Sequence, residues 1–172
     1  DRRQGKTLQW KELKLGIAYA TGQVDAVYGG TLTGGVIEAG WHLFYCAQEA
    51  GLGCNTYVHA VGDSAPWIAD QVSQQFGAQG QYLIDFYHAC EYLAEASSVC
   101  GGEQAKAWLE QQKAHLKANK VTRVRAALLP YCEPPDIPNE QAPVQRCHRY
   151  FANCRDQLDY AGAIEKGLPI GS

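Results

Sequence analysis

Asp63 has the residue type and the position expected of a ligand for a divalent metal ion. It follows an apolar segment, residues 56–61, and precedes an amphipathic segment, Pro66–Phe76. We interpret this pattern as a buried strand, a turn and a helix, with Ser64 as a plausible N-cap. In open α/β sheets, ligands and chemistry gather at the carboxyl ends of strands. The alternative is that the Asp63 carboxylate satisfies backbone N–H groups at the start of the helix.

Asp85 and His88 form a D-x-x-H pattern at the exit of the next predicted strand, residues 81–86. If that strand lies beside the first one, all three side chains reach the same edge of the sheet. The alternative is structural: Asp85 caps the following helix and His88 is a histidine with satisfied hydrogen bonds.

The elements that must position these residues can be read from the hydrophobic pattern. Leu13, Leu15, Ile17 and Tyr19 alternate along the first predicted strand, which indicates one buried face. The predicted order is strand, strand, helix, strand, helix, strand, helix, and it favours an α/β fold in which a mixed sheet carries helices on both faces. The predicted segments are residues 7–20, 24–31, 34–50, 56–61, 66–76, 81–86 and 86–97.

The second half of the chain has a different character. Residues 103–131 are highly charged and predicted to be helical, residues 133–143 contain four prolines, and two short helices are predicted at 144–154 and 159–166. The lysines and arginines between residues 106 and 125 suit contact with a phosphate backbone. The alternative is a solvated helical face, which Glu103 and Glu110 favour because they dilute the positive charge.

Composition excludes some classes of protein. The chain has 172 residues, a formal net charge of −3 and a pI near 5.9, whereas a free-standing nucleic-acid-binding module usually has a pI above about 9. No apolar run approaches the roughly 20 residues of a membrane span.

The seven cysteines include no C-x-x-C pair, which favours reduced, mostly buried thiols. An alternative is an unrelated zinc-binding α/β protein, whose ligands would come from the scattered cysteines and histidines. The candidates are His88, Cys90, Cys147, His148 and Cys154.

Three sequence blocks together resemble the catalytic region of bacterial insertion-sequence transposases of the ISKra type, which are relatives of the Mutator-like superfamily with a DDE core. The resemblance extends from the strand at Trp10 to Ser172, and the blocks occur in the order and at the spacing of that family. They are VHAVGDSAPWIADQV, QYLIDFYHACEYL and QLDYAGAIEKGLPIGS.

The resemblance implies an RNase H-like fold whose first strand and first catalytic Asp lie upstream of Asp1. Asp63 matches the second catalytic Asp, and Asp85 and His88 match the D-x-x-H signature that follows it. The third acid, a Glu, is expected just after Ser172, so this fragment alone is expected to be inactive. The implied division is a core at residues 1–100, a helical insertion at 101–160 and a return segment at 161–172.

The function implied by the resemblance is metal-dependent DNA cleavage and strand transfer in DNA transposition. Two Mg²⁺ or Mn²⁺ ions would be held by Asp63 and by acids outside this chain. The implied partners are transposon ends and target DNA, with a homo-oligomer as the active complex and no membrane. The implied location is the bacterial cytoplasm, at the nucleoid. The alternative is a truncated or domesticated transposase domain that binds DNA or a partner without catalysis.

Overall fold

The computed structural model describes residues 11–171, so the predicted strand residues 7–10 and Ser172 lie outside the described part. The described chain is mixed α/β, with two two-stranded sheets and a mainly helical second half. The strands are β1 (Lys14–Ala18), β2 (Val27–Thr31), β3 (Val58–Gly62) and β4 (Gly80–Ile84). The α-helices are α1 (Val36–Glu49), α2 (Pro66–Phe76), α3 (Phe86–Gly101), α4 (Ala105–Lys117), α5 (Val121–Leu128), α6 (Pro143–Asn153) and α7 (Tyr160–Glu165).

The chain divides into two compact units. One unit contains the described residues up to Val58 together with Trp67–Gly80, and the other contains His59–Pro66 and the described residues from Gln81 onward. The boundary expected near residue 100, between a core and a helical insertion, stays a prediction. None of the helices in the described residues has the length and apolar character needed to cross a lipid bilayer.

In the first unit, β1 and β2 form an antiparallel hairpin in which Gly16 lies opposite Gly29. The glycines allow α1 to approach closely, since a Cβ atom on Gly29 would lie only 2.6 Å from the Sγ atom of Cys46 in α1. A larger side chain at this position would therefore push the helix away from the hairpin.

The burial predicted for the first strand is wrong. Leu13, Leu15, Ile17 and Tyr19 are all exposed, with Leu15 retaining 66% of its accessible surface. The physical reason is that α1 packs on the opposite face of the hairpin, where Gly16 and Gly29 permit close contact. Alternation of apolar residues correctly indicated a strand, but the neighbouring helix decides which face is covered.

The apolar stripe predicted for α2 is confirmed at two of its three positions. Val72 and Phe76 are buried, and Ile68 is half-buried. The ring of Phe76 contacts the ring of Phe44 in α1, with 6.1 Å between centroids. These contacts join α1 and α2 within the first unit through apolar burial, the main stabilising term in folding.

The second unit is built around α3. Its core combines residues of β4 and α3 with residues of all the later helices, and Leu93, Leu116, Val124 and Phe151 are among its fully buried members. The predicted helical character of residues 103–131 and of the two later segments is confirmed. Glu133, in the proline-rich loop, accepts hydrogen bonds from Val144 N (3.2 Å) and Gln145 N (2.7 Å), which caps the start of α6.

Candidate functional site

Asp63 and Asp85 follow two neighbouring strands of the second unit. The backbone N–H of Asp85 donates to the carbonyl of Gly62 over 2.7 Å. Gly62 is the last residue of β3, and Asp85 directly follows β4. Because this bond joins the carboxyl ends of both strands, β3 and β4 run in the same direction. The two acidic residues therefore lie at one edge of the sheet, as the sequence predicts.

Tyr82 of β4 is close enough to both Asp63 and Asp85 for their charges to act on its phenol. Burial raises the pKa of its phenol, and the negative charges of Asp63 and Asp85 raise that pKa further. Its hydroxyl donates a hydrogen bond to the backbone carbonyl of Asp63. Tyr82 therefore stays protonated and holds the turn that follows β3. The only sequence feature that could have indicated this role of Tyr82 is its position on the strand that leads into the D-x-x-H pattern.

The carboxylate of Asp63 is exposed and makes a local hydrogen bond. Its Oδ1 atom accepts from the backbone N–H of Ala65 over 2.8 Å. This is the structural alternative considered for Asp63, and it leaves the second carboxylate oxygen without a hydrogen-bond partner among the described residues. A carboxylate that is anchored through one oxygen can still offer the other to a metal ion.

Asp85 is the N-cap of α3. Its Oδ1 atom accepts from the backbone N–H groups of Tyr87 (2.7 Å) and His88 (3.1 Å). These bonds satisfy two of the helix donors that have no partner within the helix. The geometry thus realises the capping alternative for Asp85, while its catalytic assignment stays a prediction.

Substitutions at Asp85 test its role as the N-cap of α3. Asp85→Ala is expected to lower the free energy of unfolding by about 1 to 2 kcal/mol, whereas Asp85→Asn should change it by only a few tenths, because Asn and Asp cap helices about equally well. Urea denaturation of the three proteins measures both values. If Asp85→Asn is as destabilising as Asp85→Ala, the carboxylate charge itself stabilises the fold and capping is not the main role.

His88 uses both ring nitrogens within the protein. Its Nε2 atom lies 3.1 Å from Ser64 Oγ, and its Nδ1 atom lies 3.2 Å from Glu91 Oε2. Its ring is in T-shaped contact with the rings of Tyr92 and Tyr150, at centroid distances of 5.7 and 6.4 Å. His88 therefore lies at the predicted edge, but its nitrogens are occupied by side chains of the chain itself.

The segment after α7 returns to the same edge. The ring N–H of His59 in β3 donates to the carbonyl of Pro169 over 2.7 Å, and the N–H of Phe86 donates to the carbonyl of Ile170 over 2.8 Å. Gly171 lies so close to Asp85 that a Cβ atom would be 2.9 Å from the Asp85 Oδ1 atom. The structure thus brings residues 169–171 to the strand ends that carry the two acids. No local pattern marks His59 for this role.

The donor atoms at this edge suit Mg²⁺, but they are few. Among residues 11–171, no group of three or more His, Cys, Asp or Glu side chains is arranged to hold a metal ion. Asp63 and Asp85 supply the hard carboxylate oxygens that Mg²⁺ prefers, and Mg²⁺ commonly binds through one or two carboxylates, water and substrate phosphate. The residues present therefore fit part of such a site.

The cysteines offer no comparable fit for zinc. All seven are free thiols, and Cys90 and Cys147 are buried. Burial raises the pKa of the Cys90 thiol to about 11 and also raises the pKa of Cys147. Zinc binds the thiolate form, which such an environment disfavours. The described residues include no zinc-like cluster at the candidate positions.

Comparisons with known proteins give no neighbour. No protein-family model matches the chain, and neither a curated protein sequence nor a solved structure matches it significantly. The arrangement of the residues at the sheet edge is therefore the basis for the proposal that follows.

Proposed function

We propose that this chain is the catalytic-core region of a DDE transposase with an RNase H-like fold, which cleaves and joins DNA strands in a metal-dependent reaction. One observation carries the proposal. The exposed Asp63 and the helix that begins with the D-x-x-H pattern lie at the ends of two adjacent strands, and the 2.7 Å hydrogen bond from Asp85 N to the Gly62 carbonyl joins these strand ends. In two-metal enzymes, carboxylates at such a position hold the ions that act on phosphate.

The order of the elements supports the same fold. The ISKra-type resemblance implies three strands followed by helix, strand, helix, strand and helix. The observed order β1, β2, α1, β3, α2, β4, α3 is this series from its second strand onward. β1 and β2 form the antiparallel hairpin expected from the sequence.

Asp63 would supply one carboxylate ligand, and the other acids are expected outside this chain. When bound, the divalent ions would activate water or a DNA 3′-hydroxyl and stabilise the leaving oxygen of the in-line displacement. Tyr82 and Ala65 hold the Asp63 turn through hydrogen bonds to its carbonyl and its carboxylate. The return segment at Pro169–Gly171 lies beside Asp85, which suits a third acid that follows it in the chain.

The expected partners are transposon ends and target DNA, and the expected active complex is a homo-oligomer at the bacterial nucleoid. A non-catalytic, transposase-derived binding domain is the second candidate. It is favoured by one observation, the lack of a complete three-ligand group among residues 11–171.

Metal dependence distinguishes the two candidates. The complete gene product that contains this chain is incubated with duplex DNA carrying the ends of its own element. Cleaved and joined products are expected with Mg²⁺ or Mn²⁺ and none with EDTA, because the ions are part of the reaction centre. DNA binding with no product in either metal would reject the catalytic assignment and favour the binding domain.

A further inference from the structure

Ser64, His88 and Glu91 form a series of polar contacts in the second unit, a hydrogen bond followed by a close His–Glu pair, which we name the Ser–His–Glu chain. Ser64 Oγ lies 3.1 Å from His88 Nε2, and His88 Nδ1 lies 3.2 Å from Glu91 Oε2. Ser64 directly follows Asp63 in the sequence. The chain therefore leads from the surface of α3 to the residue next to the proposed metal ligand.

The polarity of this chain follows from its end group. A carboxylate only accepts hydrogen bonds, so the Glu91 carboxylate, 3.2 Å away, favours the ring form that carries a proton on Nδ1 of His88. In the neutral ring, Nε2 then has no proton and accepts from the Ser64 hydroxyl. Both nitrogens are thus engaged, and neither is left to donate to a DNA phosphate.

Aromatic side chains fix the plane of the His88 ring. Tyr92 and Tyr150 are stacked at 3.9 Å with nearly parallel planes, and both present their rings to His88 in an edge-to-face manner. Tyr150 is buried, which raises the pKa of its phenol, and the nearby Ser64 hydroxyl offsets part of that rise. Rotation of the imidazole would break these contacts, so Nε2 stays directed at Ser64.

We infer that His88 and Ser64 are positioning residues that fix the Asp63 turn, with His88 acting on Asp63 through Ser64 and not on DNA directly. The inference rests on the proposed function. Three hydrogen bonds restrain residues 63–65: Tyr82 donates to the Asp63 carbonyl, Ala65 N donates to the Asp63 carboxylate, and the Ser64 hydroxyl bonds to His88 Nε2. Metal ligands must be held within about 0.5 Å of their productive geometry, so loosening the turn lowers the rate.

A double-mutant cycle in the complete gene product tests this inference. Ser64→Ala and His88→Ala are each expected to lower kcat for strand cleavage about 10- to 100-fold, which is the range for partners that orient a metal ligand. The double variant should be no slower than the slower single variant, and the KM for DNA should not change, because both changes break the same contact. Ser64→Thr, which keeps the hydroxyl, should restore most of the rate.

The matched control is Ser97→Ala on the same helix as His88. The Ser97 hydroxyl donates to the Ala94 carbonyl over 2.7 Å, away from the Ser–His–Glu chain, so its loss should leave kcat unchanged. If the effects of Ser64→Ala and His88→Ala multiply, or if His88→Ala mainly raises the KM for DNA, His88 contacts DNA and the inference is overturned.

A spectroscopic measurement separates failure of the inference from failure of the proposed function. In nitrogen-15 NMR of the 172-residue chain, Ser64→Ala should shift the Nε2 resonance of His88, because it removes the hydrogen-bond partner of that nitrogen. His115 serves as the reference ring. An Nε2 resonance that Ser64→Ala leaves unchanged would overturn the inference whatever the activity. A shifted Nε2 resonance, in a protein whose activity does not depend on Asp63, would reject the proposed function and with it the positioning role of the Ser–His–Glu chain in catalysis.

Discussion

Replacing Asp63 with asparagine is expected to lower DNA strand cleavage by the complete gene product more than about 100-fold, with the protein still folded. Loss of a residue that merely orients a metal ligand already costs about 10- to 100-fold, so loss of the ligand itself costs more. The asparagine side chain keeps a carbonyl oxygen that can accept from Ala65 N. The local hydrogen bond of 2.8 Å is thereby retained while the negative charge is removed.

The control for Asp63→Asn is Asp156→Asn, which removes the charge of another exposed aspartate in the second unit. Both variants should unfold within about 0.5 kcal/mol of the unaltered protein, the usual range for surface substitutions. Cleavage is followed on labelled transposon-end DNA in Mg²⁺. Retained cleavage in Asp63→Asn would remove Asp63 from the reaction centre.

The sequence specifies the elements of this fold well because their signals are local. The strand–turn–helix around Asp63 and the helix that starts at Phe86 follow from apolar spacing, from Pro66 in the first turn of α2 and from Asp85 as an N-cap. The shared edge of Asp63 and Asp85 also follows, because two strands joined by a helix normally lie parallel and close together.

The details of the candidate site depend on contacts between distant residues, which local patterns do not contain. Ser64 and His88 are 24 residues apart, and His59 and Pro169 are 110 residues apart. Ser64 illustrates the consequence: its type and position suggested an N-cap for α2, yet its hydroxyl bonds to His88. The exposed face of β1 has the same origin, because only the packed structure shows which face α1 covers.

Replacing Tyr160 with alanine is expected to lower the free energy of unfolding by about 3 to 5 kcal/mol, the range for removal of a buried aromatic ring. Tyr160 is completely buried, and its ring packs edge-to-face on Phe86 at 5.3 Å. Phe86 begins α3, so the contact joins α7 to the helix that carries His88. Ile164→Ala, four residues along α7 and 48% exposed in the folded chain, is the control and should cost much less.

Replacing Tyr160 with phenylalanine, which removes only the hydroxyl, is expected not to lower the free energy of unfolding. It is buried and has no hydrogen-bond partner among the described residues, and burial raises its pKa. An unsatisfied buried polar group costs about 1 to 3 kcal/mol, so Tyr160→Phe should be at least as stable as the unaltered protein in urea. The raised pKa of Tyr160 also makes the comparison depend on pH. Above about pH 10 the tyrosine ionises in the unfolded chain but not in the folded one, which favours unfolding. The stability of Tyr160→Phe relative to the unaltered protein should therefore increase at alkaline pH. A variant that is less stable than the unaltered protein by more than about 1 kcal/mol would show that the Tyr160 hydroxyl has a hydrogen-bond partner in solution.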